Sequence, residues 1–93
     1  MLTVRGIHAT RTDMLTPAQL RAARAFLGWT REMLAEHSGV PAITIKQFEN
    51  GQTDPRLTTV HKLRRAIERA GLIVIDQDDE AGPGLRVKAK RKD

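Results

Sequence analysis

Apolar residues recur at helical spacing from Leu20 to Ile67, after which the period changes. Leu20, Ala23, Arg24 and Leu27 form one stripe, spaced as the residues of a single helix face. Thr16-Pro17-Ala18-Gln19 supplies a helix start ahead of it: a hydroxyl cap, a proline at the first position and a glutamine three after the cap. Helix one is therefore predicted to run to about Leu27 and to stop at Gly28. Arg24 stands inside the apolar stripe and needs a partner, because an unpaired buried charge is costly. Arg21 lies off its centre. Trp29, the only tryptophan, reads as a lid on the core at the first corner.

Two short helical patterns follow, from Thr30 to Ser38 and from Pro41 or Ala42 to about Gly51. Thr30 can cap the first of them, and Leu34 and Ala35 are its inward residues. Gly39 tolerates the left-handed backbone that stops a helix. Proline suits the opening of the next helix, where its missing N–H is not needed. Ile45 and Phe48 are three apart and share a face, which Val40 in the turn can join. Two helices joined by a turn of three or four residues form the unit whose second member lies in a DNA major groove.

The loop Gly51-Gln52-Thr53-Asp54-Pro55 precedes a fourth helix, predicted to begin near Leu57 to Thr59 and to end before Gly71. Leu57, Val60, Leu63 and Ile67 make its apolar stripe. His61, Lys62, Arg64, Arg65 and Arg69 fall mostly on the other faces and read as a solvated surface. Leu72-Ile73-Val74-Ile75 is short, apolar and β-branched, hence a strand. Leu85-Arg86-Val87-Lys88 alternates apolar and basic, hence a second strand. The acidic, Gly/Pro-rich stretch from Asp76 to Gly84 is the turn between them. A lone hairpin is marginal in water, so this one needs the helical core or a second copy of itself. Strand pairing across a two-fold is one way to dimerise.

The ends show no such pattern. A mobile arm is expected over residues 1–13, with Arg5 and Arg11 able to touch phosphate or a minor groove. Met1-Leu2-Thr3 recurs as Met14-Leu15-Thr16, so Met14 can also serve as a start. Residues 89–93 form a basic tail. The domain reading is thus an arm over 1–13, a DNA-binding unit over 14–71, a hairpin over 72–88 and the tail.

Ninety-three residues make one small domain with a modest core. Sixteen basic against eleven acidic residues leave a net charge of +5, which suggests a polyanionic partner. The chain has no cysteine, which fits a reducing compartment and excludes disulfides and thiolate metal sites. No apolar run reaches membrane-spanning length, and the N-terminus has no apolar block of signal-peptide kind. The expectation is a cytoplasmic, nucleoid-associated protein with no membrane partner. With three aromatic residues, base stacking on an aromatic platform is not expected.

The catalytic inventory is empty. Ser38 is the only serine and falls in the last turn of helix two, where a hydroxyl commonly serves the backbone. His8, His37 and His61 lack metal-ligand spacing. Asp76, Asp78, Asp79 and Glu80 lack the spacing of a calcium loop. No cofactor, no metal and no enzymatic activity is expected.

DNA binding has the better physical case. The start of helix two offers free N–H groups to a phosphate at Thr30-Arg31, with Arg31 adding a cation. Helix three presents Ala42, Ile43, Lys46 and Gln47 away from the Ile45/Phe48 face. Gln47 can pair bidentately with adenine, and Ala42, Ile43 and the Thr44 methyl can meet thymine methyls. Lys46 can reach a phosphate or a guanine. Asn50 and Gln52 can donate to backbone phosphates.

Residues 15–72 resemble the XRE family, the Cro/repressor-type helix-turn-helix of phage and bacterial regulators. The resemblance is carried by Leu27-Gly28-Trp29-Thr30, Leu34-Ala35, Gly39-Val40, Thr44-Ile45 and Phe48-Glu49-Asn50-Gly51, followed by a proline-led fourth helix with Val60 and Leu63. It implies a mainly α, compact four-helix lambda-repressor-like domain, here with a small C-terminal β-hairpin. It also implies an ion pair between Arg24 and Glu49, tying helix one to the recognition helix. The sequence departs from the family at Arg31, where many relatives carry glutamine. It departs again at Pro41, where a serine or threonine cap is common; losing that cap costs about 1 kcal/mol. Direct hydrogen-bond readout therefore looks thin, and the expectation is either a modest sequence preference or one that leans on T-rich steps and DNA shape.

The reading is a sequence-specific transcriptional regulator, a homodimer on double-stranded DNA. The alternative is an antitoxin or adaptor that grips a toxin or another regulator through the hairpin. That alternative leaves Ile73, Ile75 and Val87 as apolar surface with no self-pairing mate.

Overall fold

Thr16 opens the first helix. Its hydroxyl accepts the Gln19 N–H at 3.0 Å, and the Gln19 side chain accepts the Thr16 N–H at 2.8 Å. This reciprocal box satisfies two of the donors a helix start leaves free. The computed structural model describes residues 14–89. The expected arm over 1–13 and residues 90–93 of the basic tail lie outside them. The elements are α1 (Pro17–Leu27), α2 (Arg31–Ser38), α3 (Ala42–Glu49), α4 (Leu57–Arg69), β1 (Leu72–Ile75) and β2 (Gly84–Val87).

The helix ends follow from local chemistry. Gly28 and Gly39 stand at φ 71° and 79° and close α1 and α2, a backbone region that other residues reach at a cost. Thr30 caps α2 by accepting the Met33 N–H at 3.0 Å. Pro41 opens α3 with no side-chain cap. Ser38 Oγ accepts the Val40 N–H at 3.1 Å, so its hydroxyl serves the turn.

One core joins all six elements. Leu15, Leu20, Leu34, Ile45, Phe48, Val60, Leu63 and Ile67 are buried at its centre, and Leu72 and Val74 extend it under the hairpin. The α4 stripe differs from expectation at its start. Leu57 is 47% exposed, whereas Ala66 is buried. Pro55 is buried just before the helix, so the core contact of this segment begins at the proline and resumes at Val60.

β1 and β2 form a two-stranded antiparallel sheet, pairing Leu72 with Val87 and Ile75 with Gly84. The second strand starts one residue before the expected Leu85 and ends at Val87. The acidic stretch is a turn, held by the Asp78 carboxylate accepting the N–H groups of Glu80 and Ala81, each at 2.8 Å. Two long side chains fasten the hairpin to the helices. Gln19 Nε2 donates to the carbonyls of Ile75 and Gly84 at 2.9 and 2.8 Å. Arg64 donates to the Met14 carbonyl at 2.8 Å, the Val74 carbonyl at 3.4 Å and the Asp76 carboxylate at 3.2 Å, and pairs with Glu68 one turn on. Among the described residues no helix is long and apolar enough to cross a membrane, and no group of three or more His, Asp or Glu could hold a metal ion.

Candidate nucleic-acid interface

α3 buries Ile45, Phe48 and Glu49 and turns its other side outward. Ile43 is 60% exposed. Lys46 is exposed, and Ala42, Thr44 and Gln47 are half-buried. Asn50 and Gln52 are exposed in the loop beyond the helix. Thr30 is exposed at the start of α2, with its hydroxyl occupied as the cap. Seven of the nine residues proposed to meet DNA thus lie on α3 or just past its end, and Thr30 and Arg31 lie at the start of the helix before it.

Glu49 anchors this arrangement from inside. Its side chain has no exposed surface. Arg24 grips it bidentately, with Nε on Oε2 at 2.6 Å and Nη2 on Oε1 at 2.9 Å. Arg24 Nη1 also donates to the Trp29 carbonyl at 3.0 Å. The guanidinium in the apolar stripe of α1 therefore has three acceptors, which offsets its desolvation. Burial alone would push the Glu49 carboxyl up. Hydrogen bonds and charge from Arg24 and Arg31 outweigh it and hold the group below the usual carboxylate range. The hydrogen bond to Glu49 raises the Arg24 pKa in turn.

Arg31 is the part of this cluster that the sequence did not disclose. Its Nε donates to Glu49 Oε1 at 3.0 Å, with 35% of its side chain exposed. The cation expected to reach for a phosphate is thus also tied to the end of α3. Arg21 adds a third guanidinium by donating from Nη1 to the Glu49 backbone carbonyl. Three arginines therefore converge on Glu49, and Glu32 adds a weaker favourable charge to Arg24. Nothing local marks Arg21 in α1 or Arg31 in α2 as a partner of Glu49.

At the other end of α2, the His37 ring stacks on Trp29, with centroids 4.0 Å apart and planes 7° from parallel. Arg69 of α4 donates to the His37 carbonyl at 3.0 Å, a cation placed at a helix C-terminus. Trp29 packs against the core and carries the stack on its outer side.

The helix-turn-helix family model matches residues 20–70. That span takes in α2, α3, α4 and most of α1, and leaves the hairpin outside. A curated protein of Methanothermobacter thermautotrophicus (strain Delta H), an uncharacterized HTH-type transcriptional regulator, is 37% identical over 62 residues, which cover 63% of this chain and 90% of that protein. The chain belongs to the XRE, or Cro/repressor-type, helix-turn-helix family, and is a DNA-binding regulator rather than an enzyme.

Proposed function

We propose that α3 lies in the major groove of double-stranded DNA and that the protein acts in the cytoplasm as a sequence-specific transcriptional regulator. The observation that carries this is the exposed side of α3. Ile43, 60% exposed in the first turn of α3, lies outside the buried core, and an apolar side chain there is suited to a thymine methyl. Ala42 and the Thr44 methyl extend the same contact. Gln47 reads adenine, and Lys46 takes a phosphate or a guanine. The N–H groups after Thr30, the terminal nitrogens of Arg31, and Asn50 and Gln52 position the helix on the backbone. One short recognition helix buries little surface, so the working unit is a homodimer with half-sites about 34 Å apart.

Selection of bound oligonucleotides from a random pool tests this reading. The expected result is an enriched two-fold site with T-rich half-sites. Gln47→Ala should lose about 1–3 kcal/mol of affinity for that site and keep the parent urea midpoint. Binding without sequence choice, governed by salt alone, would overturn it. A second reading, a module that holds a different protein, draws on Ile73 and Ile75, which are 41% and 40% exposed on the hairpin. It predicts a monomer that dimerises neither alone nor on DNA.

A further inference from the structure

α4 carries a row of cations that packing inside the chain does not explain. Lys62, Arg65 and Arg69 recur at spacings of three and four, so they share one face, and His61 flanks it. All four are exposed. The opposite face is buried through Val60, Leu63, Ala66 and Ile67. Glu68 is the one carboxylate of the helix, and Arg64 takes it at 3.0 Å. Within the helices, Arg21, Arg24, Arg31 and Arg64 all have acceptors. Arg69 donates to the His37 carbonyl, and no carboxylate pairs with it among the described residues. Lys62 and Arg65 have neither a hydrogen bond nor an ion pair among the described residues. Like charges three and four apart weaken a helix. The row therefore opposes α4 and adds nothing to the core, which points to a partner outside the chain.

The chemistry of that partner follows from what the row lacks. Leu57 is the only large apolar side chain of α4 that is exposed, and it is the first residue of the helix. Between His61 and Arg69 every large apolar side chain is buried. A protein partner is gripped through aromatic or apolar anchors near the centre of the contact. A lipid surface takes up an apolar face. Cations without such anchors suit backbone phosphates, whose attraction is independent of sequence. At 1.5 Å per residue, the row from Lys62 to Arg69 is about 10 Å long, the axial length of about three phosphates on one strand.

The place of the row in the fold separates it from the recognition helix. α3 packs on α1 and α2, and α4 packs on α2 and β1. Ile45 and Phe48 of α3 and Val60, Leu63 and Ile67 of α4 fill one core. The outward faces of the two helices therefore point away from a shared centre, and α2 packs against both. Two outward faces on one small body are suited to two lengths of duplex.

We propose that the Lys62–Arg65–Arg69 face of α4 holds the phosphate backbone of a second DNA segment, without sequence choice, while α3 reads the first. The protein thereby bridges two duplexes. This goes beyond the single-site reading above and rests on it only for what α3 holds.

Beads carrying a duplex with the selected site, mixed with a fluorescent duplex of unrelated sequence, test the bridge with the full chain. The parent should hold the fluorescent duplex on the beads at about 50 mM salt and release most of it by about 200 mM. Lys62→Gln combined with Arg65→Gln should keep the parent affinity for the selected site and a urea midpoint no lower than the parent's, and should lose the fluorescent duplex. Lys62→Arg combined with Arg65→Lys should retain it, because a phosphate row reads charge. A parent that holds no second duplex overturns the proposal, and a site affinity that falls in the neutralised protein would then place the row on the flank of the same duplex. Equal retention by the parent and the neutralised protein overturns it too. Capture of fluorescent polyglutamate in preference to the duplex would assign the row to an acidic protein and also overturn it. If no site is selected, parent and neutralised protein are compared on unrelated duplex alone. A plot of log affinity against log salt that flattens by about two in the neutralised protein upholds the α4 surface and removes the α3 reading, and an unchanged slope removes both.

Discussion

Arg31 and Glu49 are 18 residues apart in sequence, and Arg31 Nε lies 3.0 Å from Glu49 Oε1. The contact ties the start of α2 to the last residue of α3 through a carboxylate with no exposed surface. Arg24 reaches the same carboxylate from α1. The angle between the two helices of the DNA-binding unit is thus referenced to one buried charge.

The three residues should not be equivalent in stability. Arg24 holds both carboxylate oxygens and is 20% exposed, whereas Arg31 holds one oxygen and is 35% exposed. Removing one member of a buried pair costs about 3–5 kcal/mol, so Arg24→Ala should lower the urea unfolding free energy by about that much. Arg31→Ala leaves the bidentate grip intact and should cost about 1 kcal/mol or less, as partly exposed pairs do. Equal losses from the two substitutions in urea melts would mean that Arg31 carries as much of the junction as Arg24.

Acid should unfold the protein through the same carboxylate. Glu49 is held below its usual range in the fold, so the unfolded chain binds its proton first as pH falls. Its contribution is fully present above the unfolded carboxylate value of about 4.3 and is lost as pH drops through the lower folded value. Glu49→Gln should therefore be less stable than the parent at pH 7 and should lose less further stability between about pH 4.3 and pH 2. Asp78 is also held low, by the N–H groups of Glu80 and Ala81, and contributes with the same sign from an exposed position. The raised Arg24 value lies above any pH used for the measurement. Denaturant melts of parent and Glu49→Gln across this window give the comparison directly.

Elements were legible in the sequence where their cause is local. The Thr16-Pro17-Gln19 start, the glycine stops at Gly28 and Gly39 and the Ile45/Phe48 face depend on neighbours within a turn or two, and the observed helices follow them. The family resemblance carried the pairing of Arg24 with Glu49. Contacts set by how the elements pack were not legible. Gln19 was readable as half of a capping box, but its grip on Ile75 spans 56 residues. Arg21 and Arg31 carry no mark of Glu49 in their own neighbourhoods, and Leu57 fits the α4 stripe by spacing yet lies outside the core. Exposure of the outward α3 residues was legible from the buried face opposite them. Which bases such residues could meet was not legible, because apolar contacts such as those open to Ala42 and Ile43 leave few hydrogen bonds to read.

The grip of Gln19 makes it the hinge between helix and hairpin. Gln19 is 5% exposed, and its amide nitrogen serves two strand carbonyls while its oxygen serves the α1 start. Gln19→Leu keeps the volume but abandons all three bonds. At about 0.5–1.5 kcal/mol for each bond, the loss should be roughly 2–4 kcal/mol in urea. Amide hydrogen exchange should rise first in β1 and β2 and leave α3 protected. Uniform acceleration across all helices would show instead that the hairpin and the helices open as one unit.

The Trp29–His37 stack supplies a reporter for the first corner of the fold. The chain holds one tryptophan, so its fluorescence reads this site alone. The rings lie 4.0 Å apart and nearly parallel, close enough for the imidazole to quench the indole. His37→Ala should brighten Trp29 emission and cost about 0.5–1.5 kcal/mol, the range for aromatic pairs, with the lower end expected because His37 is exposed. The Arg69 bond to the His37 backbone carbonyl is unaffected by the substitution, so α2 should keep its end. Steady-state emission and urea melts of the two proteins test both effects. Unchanged emission would show that the rings do not stay stacked in solution, and a loss above about 3 kcal/mol would exceed what such a pair supplies and assign His37 a part in the core.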